Sequence, residues 1–162
     1  MNKIIKLFCD GSVNPQKNIG FGAYFFIEKE EALEEIKNRI NIKKFENTSS
    51  TKLELEVLLW AFEDENIKDK QIIVYTDCQN ILGLKDRREK LEKNDYKTST
   101  GKIVKNHELY KNFYLITDNF NCIFEKVKGH KQSSKKDDID KLFNLVDKAS
   151  RKALREYFSE RE

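Results

Sequence analysis

The sequence predicts an α/β domain built on one mixed sheet with helices packed on it. Two observations predict that class: residues 3–46 carry three strand-like segments in succession, and from residue 50 helical periods alternate with short apolar runs. A third is length, because 162 residues suit one domain with a real core, spanning 1–162.

The elements follow in order. "KIIKLFC" is a first strand that stops on Asp10, "GFGAYFFIE" a second after a turn, and "RINIKKFE" a third, poorly alternating one. Short links make these three an antiparallel meander. "EKEEALEEIK", between the second and third, fits a helical turn or a long hairpin equally and is assigned as loop. From Ser50, "STKLELEVLLWAFEDE" places apolar residues three and four apart behind a Ser/Thr start that can cap a helix. "KQIIVYTD" is an apolar strand, "CQNILGL" a short helix, "KNHELYKNFYLITDNF" a further helix and "NCIFEKVKG" a last strand. "KDDIDKLFNLVDKASRKALREYF" aligns Ile139, Leu142, Phe143, Val146, Ala149, Ala153 and Tyr157 on one stripe of a long amphipathic helix.

Composition narrows the function classes. With 38% hydrophobic against 36% charged residues, no segment approaches the roughly 20 apolar residues that span a bilayer. The chain starts directly in a strand pattern without a signal core, which predicts a cytoplasmic protein with no membrane partner. Cys9, Cys78 and Cys122 are odd in number and lack CxxC spacing, so they read as reduced thiols rather than a disulfide frame or zinc knuckle. The net charge of +3 is small but unevenly spread. From Lys85 to Lys105, eight basic residues face four acidic ones, an excess of four that marks a candidate phosphate-facing patch.

The chemistry lies in the carboxylates. Two apolar strands end in Asp10 and Asp77, and open sheets bind ligands beyond their strand ends. Either Asp alone could serve a turn or a cap. If the two strands are neighbours, the carboxylates converge, and such a like-charged pair requires a cation. On the following helix Glu54 shares the face of Val57, Leu58 and Ala61, whereas Glu56 lies on the wet side, so Glu54 is the candidate third acid. A fourth comes from Asp137, Asp138 or Asp140, which geometry leaves open. An oxygen-only set without Cys or clustered His suits Mg²⁺ or Mn²⁺ and argues against zinc. Two such ions about 4 Å apart are the usual apparatus for in-line hydrolysis of a phosphodiester.

With these residues in view, the chain resembles type 1 ribonuclease H nearly end to end. "FCDGSVNPQKNIGFGAY", "SSTKLELEVLLWAF", "IVYTDCQNILGL", "YKT" with "VKNHELYKNF", and "VKGHKQSSKKDDIDKL" are similar to that family's motifs, in the same order. The resemblance implies a ribonuclease H-like fold: a five-stranded mixed sheet, three antiparallel N-terminal strands plus two parallel ones, flanked by helices. It implies Asp10, Glu54, Asp77 and Asp140 as catalytic metal ligands for two Mg²⁺ ions, with Mn²⁺ as substitute. Asp10 and Asp140 would hold the ion at the attacking water; Asp10, Glu54 and Asp77 would hold the one at the leaving 3′ oxygen. His130 would assist proton transfer or product release. The implied substrate is an RNA–DNA hybrid cut in its RNA strand, the products carry 5′-phosphate and 3′-hydroxyl ends, and the implied state is a monomer.

For substrate binding the resemblance points to Asn14, Ser50, Thr51 and Gln79 in the minor groove, with Arg88, Lys93 and Lys97 on the basic segment. Ser50 and Thr51 stand where the family has paired asparagines, and they cannot make a bidentate amide contact. The alternative reading is a non-catalytic module that binds hybrids or another duplex.

Overall fold

The computed structural model of the chain describes residues 3–127 and 137–160. Strands β1 (Lys3–Asn14), β2 (Ile19–Ile27) and β3 (Asn41–Glu46) form the antiparallel meander. On the other side of β1, β4 (Lys70–Thr76) pairs in parallel, and β5 (Cys122–Lys126) pairs in parallel with β4. The order is β3-β2-β1-β4-β5, the expected five-stranded mixed sheet with β1 at its centre.

Among the described residues five α-helices flank it: α1 (Leu33–Lys37), α2 (Ser50–Ala61), α3 (Gln79–Lys93), α4 (His107–Asn119) and α5 (Asp138–Ser159). Alternation along β1 divides the core in two. Ile5, Leu7 and Cys9 pack with Leu53, Val57 and Leu58 of α2, Ile81 and Leu84 of α3, and Phe113 of α4. Phe8 faces the other way, with Ala23, Phe25 and Ile27 of β2 and Phe143, Leu145 and Val146 of α5. Phe8 is stacked between Phe25 at 5.0 Å and Tyr75 at 4.7 Å. Among the described residues the three cysteines are free thiols, and no helix is long and apolar enough to cross a membrane.

Four elements differ from the sequence reading. The first strand does not stop on Asp10 but runs to Asn14, because β2 continues to pair with it as far as Asn14 opposite Ile19. What stops is its parallel partner, which ends at Thr76. The acidic stretch taken as loop contains α1, held by buried Ile36. The cap of α2 is Ser49, one residue earlier than read, accepting from the Lys52 N–H at 3.4 Å. The short helix after Asp77 continues to Lys93, because Leu84 and Leu91, two turns apart, keep a buried stripe beneath a charged surface.

Candidate active site

Asp10 and Asp77 come together through strand register. β1 and β4 pair Leu7 with Val74 and Phe8 with Tyr75. Two residues further along, Asp10 reaches the level of Asp77, just past the end of β4. The Cys78 N–H donates to Thr76 Oγ1 at 3.1 Å, closing the turn that carries Asp77 into α3. Asp10 is 5% exposed, whereas Asp77 is open to solvent.

Glu54 reaches the pair because α2 lies directly on glycine backbone. A Cβ at Gly11 would sit 2.9 Å from Leu53 Cδ2, and one at Gly22 only 2.2 Å from Val57 Cγ2. A side chain at either position would force Leu53 or Val57 of α2 to shift. Glu54, on the first turn of α2, is thereby set against β1, and one oxygen from each of Asp10, Glu54 and Asp77 lies within 4.8 Å of the others.

The electrostatics of this cluster are unfavourable to three free charges. Burial first, then the Glu54 and Asp77 carboxylates, hold the Asp10 carboxyl far above the usual carboxylate range. Glu54 is raised by burial and by Asp77, with hydrogen bonds from Asp10 and from the Gly11 N–H opposing the shift. The Gly11 N–H donates to Asp10 as well. Among the charges acting on these two groups, Asp77 and Asp147 are both negative. An all-oxygen donor set with this excess of negative charge fits a hard divalent cation.

The other expected site residues are placed as follows. Asp140 is 8% exposed at the start of α5, where its carboxylate accepts the Asp137 N–H at 3.3 Å while Asp137 Oδ1 accepts the Asp140 N–H at 2.8 Å, a reciprocal capping box. Among the described residues, no group of three acids close enough to share an ion includes Asp140. His130 lies outside the described residues. Asn14 shapes the β1–β2 turn, its Oδ1 accepting the N–H groups of Gln16 and Lys17. Ser50, Thr51 and Gln79 are exposed on the first turns of α2 and α3, at the same end of the sheet as the acids.

The basic segment divides in a way its sequence did not reveal. Arg88 is bound to Asp118 through both terminal nitrogens, at 2.6 and 2.8 Å, and to Glu92 at 2.8 Å, with its guanidinium over the Tyr114 ring. It ties α3 to α4. Lys93 and Lys97 are exposed. Lys97 lines a cavity of about 500 Å³ with Arg87, Lys90, Asn94, Thr98 and Ser99, over a floor of Leu91 and Val104. Arg87 and Lys90, counted in the basic patch of the sequence but not among its named substrate contacts, share this cavity, and their spacing of three puts them on one helix face.

A family model described as RNase H matches residues 2–148. The chain belongs to the RNase H family. Two relatives extend the match over nearly the full length. A ribonuclease H of Caldicellulosiruptor saccharolyticus is 28% identical over 158 residues, covering 95% of this chain and 98% of that protein. One of Ruthia magnifica subsp. Calyptogena magnifica is 27% identical over 154 residues, covering 93% and 99%. Among solved structures, LC9-RNase H1, a type 1 RNase H with the type 2 active-site motif, is similar in fold with a TM-score of 0.66 at 15% identity, over 93% of this chain and 73% of that one. The protease-reverse transcriptase of prototype foamy virus is similar with a TM-score of 0.70 at 15% identity, over 91% of this chain and 20% of that one. Family and fold support a nuclease of the hydrolase class, a ribonuclease acting on RNA–DNA hybrids.

Proposed function

We propose that this RNase H-family chain is an endoribonuclease that hydrolyses the RNA strand of RNA–DNA hybrids with two divalent metal ions. The observation that carries this reading is the convergence of Asp10, Glu54 and Asp77 within 4.8 Å where β4 ends, in a cluster whose charges do not balance without cations. Asp10, Glu54 and Asp77, joined by Asp140 from the start of α5, hold Mg²⁺ or Mn²⁺, which supplies charge neutralisation and Lewis acidity at the scissile phosphate.

The chain's own residues do the rest. Asp10, on the central strand and packed from both faces, fixes the position of the cluster. Exposed Asp77 and half-buried Glu54 leave the site open toward the substrate. Hydrolysis breaks the bond from phosphorus to the 3′ oxygen, and the water's oxygen stays on the phosphate, leaving 5′-phosphate and 3′-hydroxyl ends. His130 takes part in proton transfer or in release of product. Asn14, Ser50, Thr51 and Gln79 border the minor groove of the hybrid, and the basic groups around Lys93 and Lys97 follow phosphates. The protein acts as a cytoplasmic monomer.

The test is a gel assay on end-labelled RNA–DNA hybrid, single-stranded RNA and double-stranded RNA in Mg²⁺, in Mn²⁺ and in chelator. The expected result is metal-dependent cutting of RNA in the hybrid alone, with loss of cutting in Asp10→Asn. Hybrid binding with no cutting in either metal would overturn the reading in favour of a binding module.

A further inference from the structure

We propose that Thr48 and Glu56 are positioning residues for the substrate groove: the bond between them fixes the first turn of α2, with Ser50 and Thr51, relative to the β1–β2 turn that carries Asn14. This inference rests on the proposed function, in which those three residues border the hybrid.

The two segments meet at Thr48. β2 and β3 pair as far as Ile19 opposite Glu46, and the next residue on each, Asn18 and Asn47, turns into the left-handed region with φ of 56° and 53°. Beyond them a further backbone bond joins the segments, from the Thr48 N–H to the Asn18 carbonyl at 3.0 Å. On one side of that bond Asn14 Oδ1 accepts the N–H groups of Gln16 and Lys17 and closes the β1–β2 turn. On the other side Ser49 caps α2, so Thr48 stands two residues before Ser50. Thr48 therefore links the strand turn to the helix entry.

Its surroundings hold it there. Thr48 is 3% exposed, and its hydroxyl donates to Glu56 Oε1 at 2.6 Å, the length of a charge-assisted bond. Glu56 lies in the second turn of α2, so the loop is tied to the body of the helix and not only to its end. From the same helix Lys52 Nζ donates to the Asn47 carbonyl at 2.9 Å. Left-handed residues other than glycine persist where their surroundings over-determine them, and these bonds do so. α2 also touches the β1–β2 hairpin through Leu53, which lies against Gly11 and Gly20. That contact alone is a pivot, and the anchor at Thr48 is the second point that sets the orientation of the first turn. Glu54, beside Leu53 at the pivot, moves least when the anchor is lost, whereas Ser50 and Thr51 lie beyond it toward Thr48. The pair therefore acts on substrate binding more than on the chemical step. The competing explanation is that it only stabilises the fold, as a satisfied buried hydroxyl does in any case.

The two explanations part in the kinetics. Steady-state hybrid cleavage in Mg²⁺ and hybrid binding in chelator are measured for the wild type, Thr48→Val, Glu56→Ala, the double variant and Thr48→Ser, each well below its melting temperature. Thr48→Val and Glu56→Ala are each expected to raise KM and the dissociation constant about 5- to 20-fold, with kcat within about 2-fold of wild type. The double variant should be no worse than the worse single one, as holds for two groups acting through one bond. Thr48→Ser, which keeps the hydroxyl and loses only a methyl, should keep the wild-type KM. A merely structural pair lowers the melting temperature and leaves KM where it was. Unchanged KM in the single variants, effects that add in the double variant, or a loss confined to kcat overturns the proposal while leaving the nuclease reading in place. A wild type that neither binds nor cuts hybrid overturns that reading itself. If Thr48→Val does not fold, unchanged KM in Glu56→Ala suffices to overturn the proposal.

Discussion

Replacing Asp10 with Asn should abolish hybrid cleavage and yet make the metal-free protein more stable. Two unit charges 4.8 Å apart repel by about 3.5 kcal/mol at an effective dielectric of 20, and Asp10 has two such neighbours, Glu54 and Asp77. The folded protein escapes part of that repulsion by taking up a proton. Holding an aspartate carboxyl of ordinary pKa protonated at pH 8 costs about 5.6 kcal/mol, which caps the penalty. A net gain of about 2–4 kcal/mol for the neutral amide lies inside both limits. For a chain of 162 residues this corresponds to about 6–12 °C in melting temperature.

The pH dependence has a definite sign. Asp10 and Glu54 have folded-state pKa values above their unfolded ones, so the folded state binds protons more tightly. Stability from this source is complete below the unfolded carboxylate range, near pH 4, and is lost as pH rises toward the raised values. The advantage of Asp10→Asn should therefore be small near pH 4–5 and largest near pH 8. The assay is thermal unfolding of both proteins across that range in chelator, repeated with saturating Mg²⁺, which should raise the wild type and close the gap. A variant that melts at or below the wild type at pH 8 in chelator would refute the account of the site as a compressed, cation-requiring cluster.

Other consequences can be checked in parallel. Gly22→Ala should cost at least 1–3 kcal/mol, because the new methyl meets Val57 Cγ2 at 2.2 Å, and Val57→Ala should restore much of that loss in urea unfolding. Phe8→Ala, which empties a fully buried ring site between two stacked neighbours, should cost about 3–5 kcal/mol by the same measurement. Neutralising Arg87, Lys90 and Lys97 together should flatten the salt dependence of hybrid binding by up to about three phosphate contacts, read from the slope of log affinity against log salt. Arg88→Gln should lower the melting temperature and leave that slope unchanged, because its guanidinium is taken up by Asp118 and Glu92.

The site was legible where chemistry and period coincide. Apolar runs ending in Asp10 and Asp77 announced both acids, and the helical face separated Glu54 from Glu56, which accepts the Thr48 hydroxyl at 2.6 Å instead. The sheet followed from the change of period at residue 50. Pairing over long sequence distances was not legible. The pairing of Arg88 with Asp118 could not be read from the basic run, because a charge run shows sign but not partner, and Asp118 is 30 residues away. The end of β1 was misplaced for a different reason: Asp10 terminates an apolar run, while strand length is decided by pairing with β2, which continues through polar residues as far as Asn14 opposite Ile19.

The Gly11 N–H, which donates to both Asp10 and Glu54, ties the state of the site to a backbone amide on the central strand. Earlier residues of β1, from Lys6 to Phe8, are locked into ladders with both β2 and β4, so they should exchange with deuterium only through global opening. The acceptors of the Gly11 amide, by contrast, change charge with every proton or cation the site gains. Its nitrogen chemical shift and exchange rate should therefore report occupancy of the site directly, without label, substrate or turnover, while the rest of the strand serves as an internal reference.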